Sequence, residues 1–183
     1  MNLIFKDYIL LSIDENKEIL KIRNSNYVHK NMNNSELISY KNHEKWLKKL
    51  QNDKSNIYYA IFNDKEIVGA IYITDINYDE NTSTWGLYFK ENINVFISSI
   101  STYLLIEKIF YELNIKRLNL EVKKNNLAAY KFDKSFGFED YSQVGDSYLM
   151  YMDEKMWKNK RESFLINTLK KKIAKIDYKF IEG

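Results

Sequence analysis

The pattern that most constrains this chain is a run of three strands followed by one helix and one further strand. Residues 57–90 contain three apolar segments separated by the turns "NDKE" and "DENTS", which predicts an antiparallel meander. A helix over residues 98–114 follows, and "KRLNLEV" then alternates apolar and polar side chains as a strand does. A helix that joins two strands of one sheet makes them parallel through a right-handed crossover. The sequence therefore predicts an α/β (α+β) fold with a mixed central sheet flanked by helices.

The segments on either side of this run complete the predicted sheet. At the start, "NLIFKDYILLS" predicts a strand, and a short helix follows it with Asp14 as the expected N-cap. A second helix begins at Ser39 or Asn42, and "DSYLMYM" predicts a last strand near the end of the core. The apolar face of the second helix comprises His43, Trp46, Leu47 and Leu50. On this face we expect His43 to be a packed core residue, and a catalytic role for it is the less favoured alternative.

Composition narrows the chemistry that is available to the chain. The 183 residues suffice for one domain with one core. The absence of cysteine excludes disulfides, thiolate nucleophiles and Cys-ligated zinc, and two histidines argue against a histidine-rich metal site. Charges at Lys6, Asp7 and Asp14 interrupt the apolar N-terminus, so neither a signal peptide nor a membrane span is expected. These features predict a cytoplasmic protein that binds no metal.

The C-terminal 30 residues are strongly basic, with eight Lys or Arg between Lys155 and Lys175 against Glu162 alone. Apolar residues recur along a helical stripe with lysines opposite, which predicts one long amphipathic helix over residues 154–183. This helix could pack on its own domain or on a dimer mate, dock on an anionic membrane, or contact nucleic acid. We favour protein packing, including a homodimer through this helix, because the stripe is aliphatic.

The segment "VKKNNLAAYKFDKSFGF" predicts the end of a strand and then a helix from about Asn126 to Phe136 that closes on Gly137. Together with the order of elements, its "N-x-x-A" and final "G-F" resemble the GNAT superfamily of acetyl-CoA-dependent N-acetyltransferases. The resemblance covers residues 1–153 and implies a sheet whose central strands splay apart to admit acetyl-CoA. Residues 154–183 form the basic helical extension beyond that domain.

Four shorter segments resemble one branch of this superfamily more closely. They are "KIRNSN", "NHEKWLKKL", "WGLYFKE" and "LNLEVKKNNLAA". That branch acetylates UDP-4-amino-4,6-dideoxy-N-acetyl-altrosamine on the route to pseudaminic acid, which implies a nucleotide-linked amino sugar as the acceptor. Two alternatives remain open. One is a protein or peptide N-terminal acetyltransferase, and the other is a catalytically degenerate GNAT that acts as a binding module.

The resemblance also assigns roles to individual residues. It places the cofactor contacts at Leu87, Tyr88, Phe89, Ser98, Ser99, Asn126 and Phe132. A backbone N–H near Tyr88 would polarise the thioester carbonyl, Glu121 would act as the base, and Asp133 occupies the position of the general acid. Arg23 and Asn24 match the branch's "RN" and would face the sugar or the diphosphate. Simpler alternatives stand beside these roles, since the two serines and Asn126 could be helix caps, Glu121 a solvated carboxylate and Arg23 a loop brace.

Two positions depart from the superfamily pattern. The phosphate loop usually carries glycines, whereas "NINVFISSIS" has none, so Phe96 and Ile97 would crowd the pyrophosphate unless their side chains turn away. The general acid is usually tyrosine, whereas this chain has Asp133. A free aspartate has a pKa of ~3.9 and is ionised at neutral pH, so Asp133 could protonate a thiolate only if its pKa were strongly raised.

Overall fold

The computed structural model describes residues 1–183 and contains one eight-stranded mixed sheet in the order β6-β7-β5-β4-β3-β2-β1-β8. The strands are β1 Asn2–Asp7, β2 Ile57–Asn63, β3 Glu66–Asn77, β4 Thr82–Phe89, β5 Arg117–Lys123, β6 Glu139–Val144, β7 Ser147–Asp153 and β8 Asp177–Ile181. The helices are α1 Ile13–Arg23, α2 Asn26–His29, α3 Tyr40–Leu50, α4 Val95–Glu107, α5 Leu127–Phe136, α6 Glu154–Lys160 and α7 Phe164–Ile173. The sequence patterns did not predict α2, β6 and β8.

The predicted meander and crossover are both confirmed. Strands β2, β3 and β4 pair antiparallel in succession, and β4 pairs with β5 in parallel after α4. Side chains of the central strands alternate between two faces. In β2, Tyr59 and Ile61 belong to a cluster of 29 buried residues with α4 and α5, whereas Ala60 and Phe62 belong to a second cluster of 10 with α1. Helices therefore cover both faces of the sheet.

Helix starts differ from the predictions at two places. Helix α1 is capped by Ser12, whose hydroxyl and Glu15 form a reciprocal capping box, so the prediction of Asp14 as the cap is wrong. Helix α4 begins at Val95 with Asn94 as its cap, three residues before the predicted start. Its last turn continues as a π-helical segment, Lys108–Glu112. No helix in the structure has both the length and the apolar character needed to cross a membrane.

The C-terminal segment is not the long helix that its apolar stripe predicts. It consists of two short helices, α6 and α7, and the strand β8, which pairs in parallel with β1 at the sheet edge. Trp157, Ile166 and Leu169 are buried in the larger cluster, so the segment packs on its own domain. The periodicity predicted one helix because the apolar spacing continues across the break between α6 and α7 at residues 161–163.

Strand β8 is held by an aromatic stack and by an ionic network. Phe180 stacks on Phe5 with ring centroids 4.6 Å apart and meets the Tyr59 ring edge-on at 5.2 Å. Glu182 accepts a hydrogen bond from the Tyr59 hydroxyl at 2.6 Å and pairs with the buried Lys108 ammonium at 2.8 Å. Because Lys108 is almost fully buried, loss of its carboxylate partners would leave a charge without compensation.

We expect Phe180→Ala to lower the free energy of unfolding by about 2 kcal/mol, since it removes a half-buried ring from two aromatic contacts. Lys179→Ala is the matched control in the same strand, and its exposed side chain should change stability by less than about 0.5 kcal/mol. Urea denaturation measures both. Equal stability of the two variants would show that the aromatic contacts of Phe180 do not stabilise the fold.

Candidate functional site

The central feature of the site is a gap between β4 and β5. Their ladder has three pairs and ends at Thr84↔Asn119, whereas β4 stays paired with β3 as far as Phe89. On its other side β5 stays paired with β7 as far as Lys123. The two strands therefore diverge beyond Thr84, as the resemblance implied. Trp85, the first residue beyond the ladder, stacks on Phe138 at 5.6 Å at the base of the gap.

Alternation along β4 determines which backbone groups face the gap. The Lys90 N–H donates to the Val68 carbonyl at 2.8 Å, so backbone groups at even-numbered positions of this strand point to β3. Those of Leu87 and Phe89 consequently point toward β5 and have no strand partner there. The backbone N–H groups near Tyr88 that face the gap are therefore those of Leu87 and Phe89.

Asp133 reaches the cleft from α5. Its side chain is 8% exposed and its carboxyl group has no hydrogen-bond partner within the protein. Burial disfavours the charged form and raises the pKa of Asp133 to about 8. The sequence predicted an ionised aspartate unless its pKa were strongly raised, and the structure shows that condition met by burial alone. At neutral pH the carboxyl group holds a proton that it can donate.

Helix α5 places Asn126, its N-cap, and Phe132, in its middle, at the same cleft. The Asn126 side-chain oxygen caps the helix by accepting from the Ala129 N–H at 3.2 Å, as predicted for a cap. The amide nitrogen of Asn126 makes no hydrogen bond within the protein and remains free for a ligand. Phe132 is half-buried beside Phe136, with ring centroids 5.0 Å apart, and also lines the cleft.

The start of α4 differs from the predicted phosphate loop. Asn94, and neither Ser98 nor Ser99, is the cap, and both serine hydroxyls donate to the Val95 carbonyl inside the helix. Ser98 lines the cleft, whereas Ser99 does not. The alternative that Ser98 or Ser99 caps α4 is therefore wrong.

Phe96 and Ile97 of this loop turn away from the cleft, whereas Val95 lines it. Ile97 is buried in the core, and Phe96 lies under the Lys172 ammonium of α7, 3.6 Å from its ring centroid. Neither side chain lines the cleft, so neither crowds the first turn of α4. Phosphate access was expected only if the Phe96 and Ile97 side chains turned outward, and in the structure both do.

Glu121 and Arg23 both face the cleft, and Asn24 does not. The Glu121 carboxylate is exposed and accepts from the Asn33 side-chain amide at 3.1 Å. Arg23 donates through Nη2 to the Asn34 carbonyl at 2.6 Å, while its buried Nη1 has no partner. Asn24 is fully engaged with the backbone of Ile38. The structure therefore does not bring Asn24 to the predicted substrate site.

An aromatic wall that sequence analysis did not identify lines the other side of the cleft. It consists of Tyr8, Trp46, Tyr58, Tyr72 and Tyr88. The Tyr8 and Tyr88 hydroxyl groups lie 2.8 Å apart, and the Tyr58 and Tyr72 rings stack at 5.0 Å. Burial raises the pKa of Tyr72 to about 12 and also raises that of Tyr88, so these hydroxyls are neutral. The only sequence signal was the high tyrosine content, since the five residues come from five different elements.

The cleft as a whole has a volume of about 1410 Å³ and runs through the gap from the α4 and α5 side to the aromatic wall. His43 also lines it, with 5% of its surface exposed and a ring Nε2 that has no partner. Burial lowers the pKa of His43, which keeps the ring neutral. The predicted packing role of His43 agrees with this burial, although the residue also borders the cleft. No group of three or more His, Asp or Glu side chains in the structure could hold a metal ion.

We expect Asp133→Asn to alter how stability depends on pH. The folded state binds the Asp133 proton more tightly than the unfolded state does. The contribution of Asp133 is therefore greatest below about pH 4 and declines as pH rises to about 8. The variant should become more stable than the native protein across this range, by a few kcal/mol at pH 8. Urea denaturation from pH 5 to 9 measures the difference, and two parallel curves would contradict it.

Three comparisons identify relatives of the chain. The acetyltransferase (GNAT) domain family matches residues 12–154. Acetyltransferase PseH of Campylobacter jejuni is 29% identical over 143 residues, which cover 78% of this chain and 88% of PseH.

Two solved structures are also similar to this chain. C. jejuni N-acetyltransferase PseH in complex with acetyl coenzyme A matches with a TM-score of 0.69 and 28% identity, over 83% of this chain and 99% of that chain. Apo FdhC, a nucleotide-linked sugar GNAT, matches with a TM-score of 0.71 over 86% of this chain and 91% of that chain, and at 18% identity this shows a shared fold. With the family match over most of its length and a parted β4–β5 pair, this chain belongs to the GNAT acetyltransferases.

Proposed function

We propose that this protein transfers an acetyl group from acetyl-CoA to the amine of a nucleotide-linked amino sugar of the 4-amino-4,6-dideoxy type. The observation that carries the proposal is the gap between β4 and β5, which opens to the α5 side and to the aromatic wall within one continuous cleft. Such a passage lets a thioester arm and an acceptor amine meet from opposite sides of the sheet. Similarity to PseH supports the sugar acceptor.

The pantetheine arm fits the gap as an additional strand would. Backbone groups of Leu87 and Phe89 face the gap without strand partners and can pair with the amides of the arm. The free amide nitrogen of Asn126 approaches from α5 on the opposite side. At the thioester, one of the two β4 N–H groups can polarise the carbonyl oxygen, and a preorganised donor of this kind contributes ~3 kcal/mol to catalysis.

Asp133 and Glu121 divide the proton transfers of the reaction. The neutral amine attacks the thioester carbon, a C–N bond forms, and the C–S bond then breaks to release CoA thiolate. The amine gives a proton to Glu121, directly or through water, and Asp133 donates its own proton to the thiolate. Their environments suit these roles, because Glu121 is exposed and bonded to an amide whereas Asp133 is buried and neutral.

The acceptor side of the cleft suits a nucleotide sugar. Aromatic rings offer flat apolar faces for a sugar or a base, and the wall has five of them. Arg23 borders the same space and can donate to a diphosphate, which guanidinium groups bind well. A cleft of about 1410 Å³ exceeds the ~300–1,000 Å³ typical of small-ligand sites, as expected when two large substrates bind together.

The acceptor class can be tested by measuring CoA release with three amines. We expect turnover with UDP-4-amino-4,6-dideoxy-N-acetyl-altrosamine to exceed that with spermidine or an N-terminal peptide by at least about 100-fold in kcat/KM. The reason is that only the nucleotide sugar engages both the aromatic wall and Arg23. Free thiol detection measures the rate, and mass spectrometry identifies the acetylated product.

Controls separate the three hypotheses left open by the sequence. Higher kcat/KM with the peptide would support the N-terminal acetyltransferase and reject the sugar acceptor. Calorimetry with acetyl-CoA alone tests the cofactor site, and a lack of binding at millimolar concentration would favour a degenerate binding module. Phe180→Ala lies far from the cleft in sequence and structure and should retain the native acceptor preference.

Kinetics of Asp133 variants test the general acid. Because Asp133 must be protonated to act, kcat of the native enzyme should fall as pH rises above about 8. Asp133→Asn should lower kcat by about 100-fold with little change in the Kd for acetyl-CoA. Asp133→Tyr should restore turnover and shift the decline to higher pH, because tyrosine has a pKa of ~10. A native rate in Asp133→Asn would place the proton donor elsewhere.

A further inference from the structure

A loop between α2 and α3 crosses the acceptor side of the cleft, and we refer to its residues 30–38 as the strap. Six of its residues line the cleft: Lys30, Asn31, Met32, Asn33, Asn34 and Ile38. Met32 is half-buried against the smaller core cluster, which gives the strap an apolar anchor. The strap therefore forms a roof over the space between the aromatic wall and β5.

The base of the strap is tied to the end of α1. The Asn24 amide donates to the Ile38 carbonyl at 2.8 Å and accepts from the Ile38 N–H at 2.9 Å, so it holds both backbone groups of one residue. Arg23 donates to the Asn34 carbonyl at 2.6 Å, and a His29 ring nitrogen lies 3.0 Å from the Ser35 carbonyl. The "RN" pair thus organises the strap, and Arg23 braces this loop, as the simpler alternative for it predicted.

The tip of the strap contacts β5, the strand on the opposite side of the gap. The Asn33 amide donates to Oε2 of Glu121 at 3.1 Å, across 88 residues of sequence. Lys123, two residues further along β5, donates to the Lys30 carbonyl at 3.3 Å. These are the hydrogen bonds that join the strap to β5, and one of them ends on the carboxylate assigned as the base.

We propose that Asn33 is a positioning residue for Glu121, so that the strap that covers the acceptor space also orients the base. The inference deepens the proposed function and rests on it. One carboxylate oxygen of Glu121 is held by the amide, and the other remains available to take the proton of the acceptor amine. Because the strap lines the acceptor space, the Asn33 hydrogen bond fixes this oxygen beside the position of the acceptor.

The contact is specific enough to test because neighbouring amides differ in what they touch. Asn31 lines the same roof, but its amide donates to the Tyr27 carbonyl at 3.1 Å and does not reach Glu121. Asn31→Ala removes a roof amide of the same size while it leaves the Asn33 contact in place. It is therefore the matched control for Asn33→Ala.

We expect Asn33→Ala to lower kcat with UDP-4-amino-4,6-dideoxy-N-acetyl-altrosamine by about 5- to 10-fold, because the base loses its fixed orientation. Asn33→Asp places a second carboxylate against Glu121 and should lower kcat by more than 10-fold. The Kd of acetyl-CoA, measured by calorimetry, should stay within twofold for both variants. Asn31→Ala, which also alters the lining of the acceptor space, should lower kcat by less than Asn33→Ala does and by the same factor in the Glu121→Gln background.

A double-mutant cycle with Glu121→Gln shows whether Asn33 acts through Glu121. In the Glu121→Gln background, Asn33→Ala should cause no further loss of kcat beyond twofold. The swapped pair Asn33→Asp with Glu121→Gln restores a donor and an acceptor. It should protect the strap from proteolysis as well as the native pair does, without regaining turnover.

Three results would overturn the inference. They are an unchanged kcat in Asn33→Ala, the same loss in the Glu121→Gln background as in the native one, and an equal loss in Asn31→Ala. Full turnover by Glu121→Gln alone would also remove it, since no base would then need positioning. In that case acetyl transfer itself would still stand, whereas failure of the native protein to bind acetyl-CoA would reject the proposed function instead.

Discussion

The short ladder between β4 and β5 is the constraint on which the site depends. Elsewhere each strand of the sheet is paired along most of its length, and here pairing ends at Thr84↔Asn119. Unpaired backbone groups inside a protein are costly unless a ligand or water satisfies them. The gap can persist because β3 and β7 hold the two strands from outside, and because Trp85 and Phe138 pack at its base. In the proposed function, these unpaired groups form the binding surface for the pantetheine arm.

At this gap, burial rather than a charged partner sets the protonation state of Asp133. Asp133 stands where the superfamily usually has tyrosine, and in water it would be a poor acid at neutral pH. In the fold it is enclosed by the cleft and the adjacent aromatic residues of α5, so its neutral form is favoured. Glu121 lies on the exposed side of β5 under the strap. One carboxyl group is thereby kept protonated while the other contacts an amide, which is the separation that proton exchange requires.

The outcome of each sequence prediction depended on the range of the contacts behind it. Most patterns within one element or between neighbouring elements held, as for the meander, the crossover, the Asn126 cap and the closing Gly137, whereas the Asp14 cap did not. Predictions failed where contacts with residues distant in sequence determined the structure. The apolar stripe of the C-terminal segment is the clearest case. The apolar spacing of this segment fits one helix. In the structure, however, the chain end forms β8, which pairs with the open edge of β1, and Glu182 pairs with the buried Lys108.

The sequence by itself determined the meander, the crossover, the family resemblance and the positions of Glu121, Asn126 and Asp133, because each of these rests on patterns within one element or between neighbouring elements. Only the tertiary structure decided the protonation of Asp133, the direction of Phe96, the aromatic wall and the bond from Asn33 to Glu121. Those properties depend on which side chains from remote segments surround a group. Desolvation and cross-sheet contacts have no signature in local periodicity, since they exist only after the chain has packed.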